Sequence, residues 1–418
     1  MHISTFDILR CPYCGGRLAL VDSMFHRRDG DRVQDGILGC HCCIFPLVDG
    51  IPVLHLHPSS VVAREQLEAG HPDLARRTMI GIESERDAEA FEAAAASPAA
   101  TYRETVEAIG PNFEGGYFLY RFTDPTFIVA DALVRAVAGT VLSGSGRAID
   151  ICGGSGHLTR TLVELSTTPP VLADLYFAKI WLARRFTAPA CEPVCCDGNA
   201  PMPFAPGSFR FAMCTDAFMY IWTKRQFVGE MERLIASGHG DDHAGALLIG
   251  HTHNERAWSP SHGQPLPPEG YAALFETLAP RIFGEFGLFD DVVRGGPLDL
   301  SRRDDAETLD RNPALTVIAS RNPRVFTPHA LPHAAAAAGE LRINPLYSVQ
   351  PDGERVRLRL GFPSEDYEQE YGACRQYLPE EVTLEPSALA SLQAGTVGGE
   401  LTELVRRKVI VDLPKRYY

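Results

Sequence analysis

Two pairs of cysteines near the start of the chain carry the clearest chemistry. Cys11-Pro-Tyr-Cys14 and Cys40-His-Cys-Cys43 each leave two residues between their thiols, a spacing that lets both sulfurs of a turn reach one tetrahedral ion. A four-thiolate site has no open coordination position, so zinc at Cys11, Cys14, Cys40 and Cys43 is expected to be structural, its binding energy serving to fold the segment. Cys42 or His41 is the substitute in the second pair. The clustered spacing of ferredoxin-type iron–sulfur sites is absent.

A second constellation starts at Ala148-Ile-Asp-Ile-Cys-Gly-Gly-Ser-Gly-His157, a buried strand running into a glycine-rich turn and then a helix. Glycine is needed there because the backbone must turn tightly and let a ligand approach the helix N-terminus. Such a loop alone suits several nucleotides. The next strand, Val171-Leu-Ala-Asp174, ends in a carboxylate placed to accept hydrogen bonds from both hydroxyls of a ribose, or else to cap a helix ahead of Tyr176. A third strand ends in Val194-Cys-Cys-Asp197-Gly-Asn. The glycine fingerprint spacing of nicotinamide-binding proteins is missing.

These residues need a framework. Segment 1–57 is rich in turns with short apolar runs between them, reading as hairpins that could not bury a core unaided. Segment 58–135 is charged and Ala-rich with helical spacing, a linker or cap. Within it, Phe113 to Phe122 is aromatic, and Tyr117, Tyr120 and Arg121 are either a lid over the site or core. From 136 to 290, strands at 148–152, 171–174, 193–196, 209–215 and 246–251 alternate with helical patterns near 158–165, 178–186 and 224–235. That alternation predicts an α/β, Rossmann-like, doubly wound sheet. The remaining 291–418 mixes strand-like and helical pieces and is expected to be an α+β accessory segment for substrate or for a homodimer contact, its acidic run 365–370 a solvated face.

Two resemblances sharpen the reading. Leu9-Arg10-Cys-Pro-Tyr-Cys-Gly-Gly-Arg-Leu, with Phe45-Pro-Leu-Val-Asp-Gly-Ile-Pro-Val-Leu, is similar to the zinc-ribbon family of tRNA-methyltransferase activators, which implies a scaffold for a methyltransferase. The turn at 150–156 resembles motif I of class I S-adenosylmethionine-dependent methyltransferases, with Asp150, Gly154 and Gly156 matching and Cys152 standing for the first glycine. The resemblance implies cofactor contacts from Asp150, Cys152, Gly153, Gly154, Gly156, Asp174, Leu175, Asp197, Gly198 and Cys214, with Cys214 to Asp216 near the reacting methyl. Methyl transfer is an in-line displacement that needs alignment and, for a protonated nucleophile, a base. Candidates past the fourth and fifth strands are Asp216, Tyr220, His251 and His253. The two histidines share one face if the strand continues, and can equally be a structural pair or, with Asp216, a metal site.

The whole-chain character sets limits. A net charge of −14 over 418 residues weighs against an extended nucleic-acid or anionic-membrane surface, and no apolar stretch reaches the roughly 20 residues of a membrane span. Eleven cysteines, four of them in tight pairs, read as metal usage in a cytoplasmic protein rather than a disulfide framework. The function expected is methyl transfer to a small molecule, as in bacterial specialised metabolism. The alternatives are rRNA guanine methylation, a non-catalytic binding module, and S-adenosylmethionine chemistry without methylation, such as cyclisation or aminocarboxypropyl transfer.

Overall fold

The computed structural model of the chain describes residues 1–82, 84–110, 117–142, 146–236, 240–258, 263–331 and 338–418. The first part of the aromatic stretch, through the Tyr117 side chain, and the alanine run at 332–337 lie outside the described residues.

Seven strands form the central sheet: β1 (Ala148–Ile151), β2 (Val171–Asp174), β3 (Glu192–Cys195), β4 (Phe211–Thr215), β5 (Ala246–His253), β6 (Pro280–Gly284) and β7 (Ala314–Ser320). Their order is β6-β7-β5-β4-β1-β2-β3. β1 to β5 run parallel, and β7 is inserted antiparallel to both β5 and β6. The first three strands are buried at every position, as expected when helices cover both faces of a parallel sheet. This is a Rossmann-like α/β fold. The order reverses beside β1, where β2 and β4 lie on opposite sides, so ligands are expected beyond the carboxyl ends of these strands.

Helix α1 (Pro125–Val141) starts at Asp124, whose carboxylate accepts from the Phe127 amide at 2.6 Å, with Pro in the first turn where its missing N–H costs nothing. It is buried over most of its surface and runs straight through the boundary expected at 135/136. The boundary at 290/291 also fails: α5 (Glu285–Arg294) spans it and β7 belongs to the central sheet. Between them α2 (His157–Leu165), α3 (Phe177–Leu182) and α4 (Lys224–Leu234) follow β1, β2 and β4.

The N-terminal segment is a small antiparallel sheet built on Arg32–Gly39 and Ile44–Val48. It has no separate core. Leu9, Leu38, Phe45 and Leu54 pack in one cluster with Ile149, Val171 and Val194 of the central sheet. Val53 bridges to Cys195, and the Leu54 amide donates to the Cys195 carbonyl at 2.7 Å, so the segment continues the sheet beyond β3. Four helices at 58–68, 72–80, 85–96 and 102–109 follow, in line with the helical spacing of that segment.

Past β7, a three-stranded meander (Tyr347–Asp352, Arg355–Leu360 and Glu381–Leu384) carries helix α6 (Glu365–Tyr371) between its last two strands. A two-stranded pair of Glu340–Ile343 with Ile410–Leu413 brings the chain back to the main body.

Candidate functional site

The turns after β1, β2 and β3 meet at a cleft of about 1130 Å³, larger than the roughly 300–1,000 Å³ that one small ligand fills. Cys152, Gly153 and Gly154 form its first wall, and Asp174, Leu175, Asp197 and Gly198 the second.

The first turn is fixed by close packing. A Cβ on Gly153 would sit 2.4 Å from Leu172 Cδ1 and 2.5 Å from the Asp150 carboxylate, so only glycine fits. Cys152 occupies the left-handed region at φ 61°, the conformation glycine tolerates best. Gly156 also has a positive φ, and a Cβ there would come 2.8 Å from Ala183 Cβ. Gly154 and His157 of the same turn line the cleft, while Gly156 packs close to Ala183, Thr187 and Leu172.

Asp174 organises the turns. Its two oxygens accept the Gly154 amide at 2.9 Å and the Tyr176 amide at 2.8 Å. Asp174 thus closes a turn onto Tyr176 rather than capping the helix, whose N-cap is Tyr176 without a side-chain cap bond, and the carboxylate keeps acceptor capacity for a ligand. Burial raises its pKa. Asp150 lies behind the turn, accepting from Thr159 Oγ1 at 2.6 Å, and burial pushes its pKa up to about 7. Asp197 accepts the Asn199 amide at 2.8 Å, and Asn199 Oδ1 in turn accepts the Trp222 amide at 2.7 Å. Cys214 is fully buried in the apolar cluster behind the cleft wall, so its expected cofactor contact is corrected: its side chain faces the core, while Thr215 lines the cleft.

The floor holds Asp216 and Tyr220. The buried Arg121 guanidinium reaches Asp216 at 2.8 Å and Asp124 at 3.1 Å, binding the segment before α1 to the end of β4. Tyr120 and Arg121 line the cleft, Arg121 from a buried position.

His251 and His253 are outside the lining. A bulge between Ile249 and Thr252 breaks the β5 register and puts His251 at φ 46°, so the assumption of an uninterrupted strand fails. The His251 ring lies 2.7 Å from a Glu285 oxygen, and the other Glu285 oxygen accepts the His251 amide at 2.8 Å and Thr316 Oγ1 at 2.9 Å. Although burial opposes it, the Glu285 charge raises the His251 pKa to about 9. His251 is thus charged at neutral pH and already paired, which does not suit a base. Burial, and then the His251 charge, lower the pKa of His253.

Sequence reasoning missed the roof. Tyr367, Tyr371, Asp366 and Glu370 of α6 border the cleft opposite the turns; the acidic residues of 365–370 are exposed, as the solvated-face reading expects. The only local signal was the i, i+4 spacing of Tyr367 and Tyr371. Tyr417 pins the other roof segment: its hydroxyl donates to the Phe118 carbonyl at 2.6 Å and lies 2.7 Å from His157 Nε2. Burial lowers the His157 pKa to about 3, keeping that ring neutral. The Tyr418 hydroxyl donates to the Leu119 carbonyl.

At the far N-terminal end, the thiols of Cys11, Cys14, Cys40 and Cys42 all lie within 4.8 Å of one another. Cys11–Cys42, Cys14–Cys40 and Cys40–Cys42 are separated by 3.6, 3.7 and 3.6 Å, near the edge of about 3.8 Å for a tetrahedron with zinc–sulfur bonds of about 2.3 Å. The donor set fits zinc. Cys42, the substitute expected for the second pair, completes this group, and the Cys43 thiol lies 3.3 Å from that of Cys42.

No family model matches the sequence, and no curated protein matches it. Among solved structures, a putative methyltransferase from Bacillus halodurans is 18% identical, with 45% of this chain and 98% of that chain covered and a TM-score of 0.31. An S-adenosylmethionine-dependent methyltransferase from Mesorhizobium loti is 15% identical over 47% of this chain and 97% of that one, TM-score 0.34. Geranyl diphosphate C-methyltransferase from Streptomyces coelicolor is 14% identical over 46% and 74%, TM-score 0.35. In each case less than half of the present chain is aligned.

Proposed function

We propose that the chain is an S-adenosylmethionine-dependent methyltransferase acting on a small-molecule acceptor, in the manner of specialised metabolism, with a structural zinc ion at its N-terminal end. One observation carries the reading: three successive turns at the carboxyl ends of β1, β2 and β3 open into a single cleft with room for two ligands. S-adenosylmethionine, when bound, supplies an activated methyl on a positively charged sulfur. Asp174 keeps acceptor capacity for ribose hydroxyls, Asp197 and Gly198 border the base-binding end, and Asp150, Cys152, Gly153, Gly154 and Leu175 shape the turn. Asp216 and Tyr220 stand on the floor as the polar groups able to orient the acceptor or take its proton.

Cys11, Cys14, Cys40 and Cys42 would hold the zinc, tying together the turn that flanks Leu9 and the hairpin that packs on β3. The cleft's carboxylates disfavour a nucleic-acid substrate, since phosphates need cations. The free cysteines fit a reducing compartment such as the cytoplasm. Calorimetry with S-adenosylhomocysteine on zinc-loaded full-length protein tests the reading. Binding is expected, and it should weaken roughly tenfold or more in Asp174→Ala, which removes a charged acceptor. Absence of heat, together with an unchanged Asp174→Ala, would overturn it.

A further inference from the structure

The second wall of the cleft is supported from outside the turns that form it. Leu175 lines the cleft between Asp174 and Tyr176, and the peptide unit joining Leu175 to Tyr176 is held from both sides. Its N–H donates to Asp174 Oδ1 at 2.8 Å, and its carbonyl accepts the Cys195 thiol at 3.2 Å. The other Asp174 oxygen accepts the Gly154 amide at 2.9 Å. A tilt of the 175–176 peptide would therefore pull the carboxylate away from the glycine-rich turn.

The Cys195 thiol is met in turn by the N-terminal segment. His55 Nε2 lies 3.5 Å from Cys195 Sγ, and both side chains are buried, His55 with 4% of its surface exposed. The contacts fix where the protons sit. The His57 amide donates to His55 Nδ1 at 3.3 Å, so in the neutral ring the proton is on Nε2. Burial, with the neighbouring His57, pushes the His55 pKa down to about 4, which keeps the ring neutral near pH 7. Nε2–H then donates to sulfur, and the sulfur turns its own hydrogen to the Leu175 carbonyl. Little slack is left at the His55 end. The Ser60 hydroxyl, in the first turn of helix 58–68, lies 2.7 Å from the His55 carbonyl and 2.8 Å from that of His57, and the His57 ring packs 4.2 Å from the His55 ring.

We propose that His55 is a positioning residue for the cofactor's nucleoside: through the Cys195 thiol it fixes the Leu175–Tyr176 peptide, and with it the Asp174 carboxylate that would receive the ribose hydroxyls. The N-terminal segment is then part of the support of the nucleoside site. Coupling of this kind runs both ways, so a nucleoside that needs Asp174 in place also holds residues 54–57 in place.

Because this rests on the methyltransferase reading, the test separates the two. S-adenosylhomocysteine is titrated into full-length protein by calorimetry. Cys195→Ala and His55→Leu should each weaken it roughly fivefold, the worth of one hydrogen bond. The double variant should be no weaker than Cys195→Ala alone, because both changes cut one chain. Cys195→Ser and His55→Gln, which keep an O–H and an N–H donor at those places, should bind within about twofold of wild type. Wild-type protein supplies two readouts that depend on no variant folding: the ring nitrogen shifts of His55 should show the proton on Nε2, and hydrogen exchange at the Leu54 and His57 amides should slow when S-adenosylhomocysteine is bound. Unchanged affinity in both single variants, losses that add in the double variant, no rescue by Ser and Gln, a proton on Nδ1, or exchange at 54–57 indifferent to the ligand would each overturn the inference. Failure of S-adenosylhomocysteine to bind wild-type protein would instead overturn the methyltransferase reading, and the inference with it.

Discussion

Replacing Glu285 by Gln tests whether His251 is a charged structural group. In the folded protein the His251 pKa is raised to about 9, against an ordinary value of about 6.5 in the unfolded chain. A raised folded-state pKa contributes stability that is complete below about pH 6.5 and disappears as pH climbs through about 9. At about 1.36 kcal/mol per unit, the difference amounts to roughly 3 kcal/mol. Gln keeps an oxygen for the His251 amide and Thr316 but turns an amide nitrogen toward the ring, so a neutral imidazole is favoured. Glu285→Gln should therefore be destabilised by about 3 kcal/mol near pH 6, and the gap from wild type should close by pH 9.5. Melting curves across pH 6–9.5, with an NMR titration of the His251 ring carbon, measure both quantities. Parallel stability profiles, or a wild-type His251 that titrates near 6.5, would refute the reasoning and return His251 to the candidates for a general base.

Other expectations follow from the same contacts. Cys42→Ser should abolish stoichiometric zinc in metal analysis and lower the melting temperature, whereas Cys43→Ser should retain the ion; the reverse result would restore the sequence expectation. Gly156→Ala forces a Cβ against Ala183 and α2's left-handed start, and should cost about 1–3 kcal/mol in thermal unfolding. Tyr417→Phe strips a buried hydroxyl from the Phe118 carbonyl and His157, at a cost of about 1–3 kcal/mol. It should also weaken S-adenosylhomocysteine binding through the loosened roof, a change calorimetry would detect.

The sequence made the strands of the cofactor half legible because each is a short apolar run closed by glycine or aspartate. Ala148–Ile151 and Val171–Asp174 are buried throughout, and hydrophobic pattern alone specifies that. The polar partners of a side chain are not encoded locally. Glu285, 34 residues from His251, fixes what that histidine can do, and the bulge that turns it arises from the pairing of β5 with β7. Cysteine spacing identified the two turns whose thiols cluster, but not which of the adjacent Cys42 and Cys43 joins that cluster. Tyr367 and Tyr371 reach the cleft only because the chain returns from a distant meander, so no window around Asp150 could have announced them. β7 was hidden for a related reason: it follows an irregular stretch and enters the sheet against the direction of its neighbours.

The contact of Val53 and Leu54 with Cys195 gives the segment that carries the four-thiol cluster a second consequence. An exposed strand at the border of a large sheet is a template on which another chain can add itself. Here the Cys195 end of that border is covered by Val53 and Leu54, which follow the four-thiol hairpin in the chain. Chelation should therefore do more than loosen an appendage: with the cover displaced, β3 offers its free backbone groups to other molecules, and loss of metal should appear as self-association before it appears as unfolding.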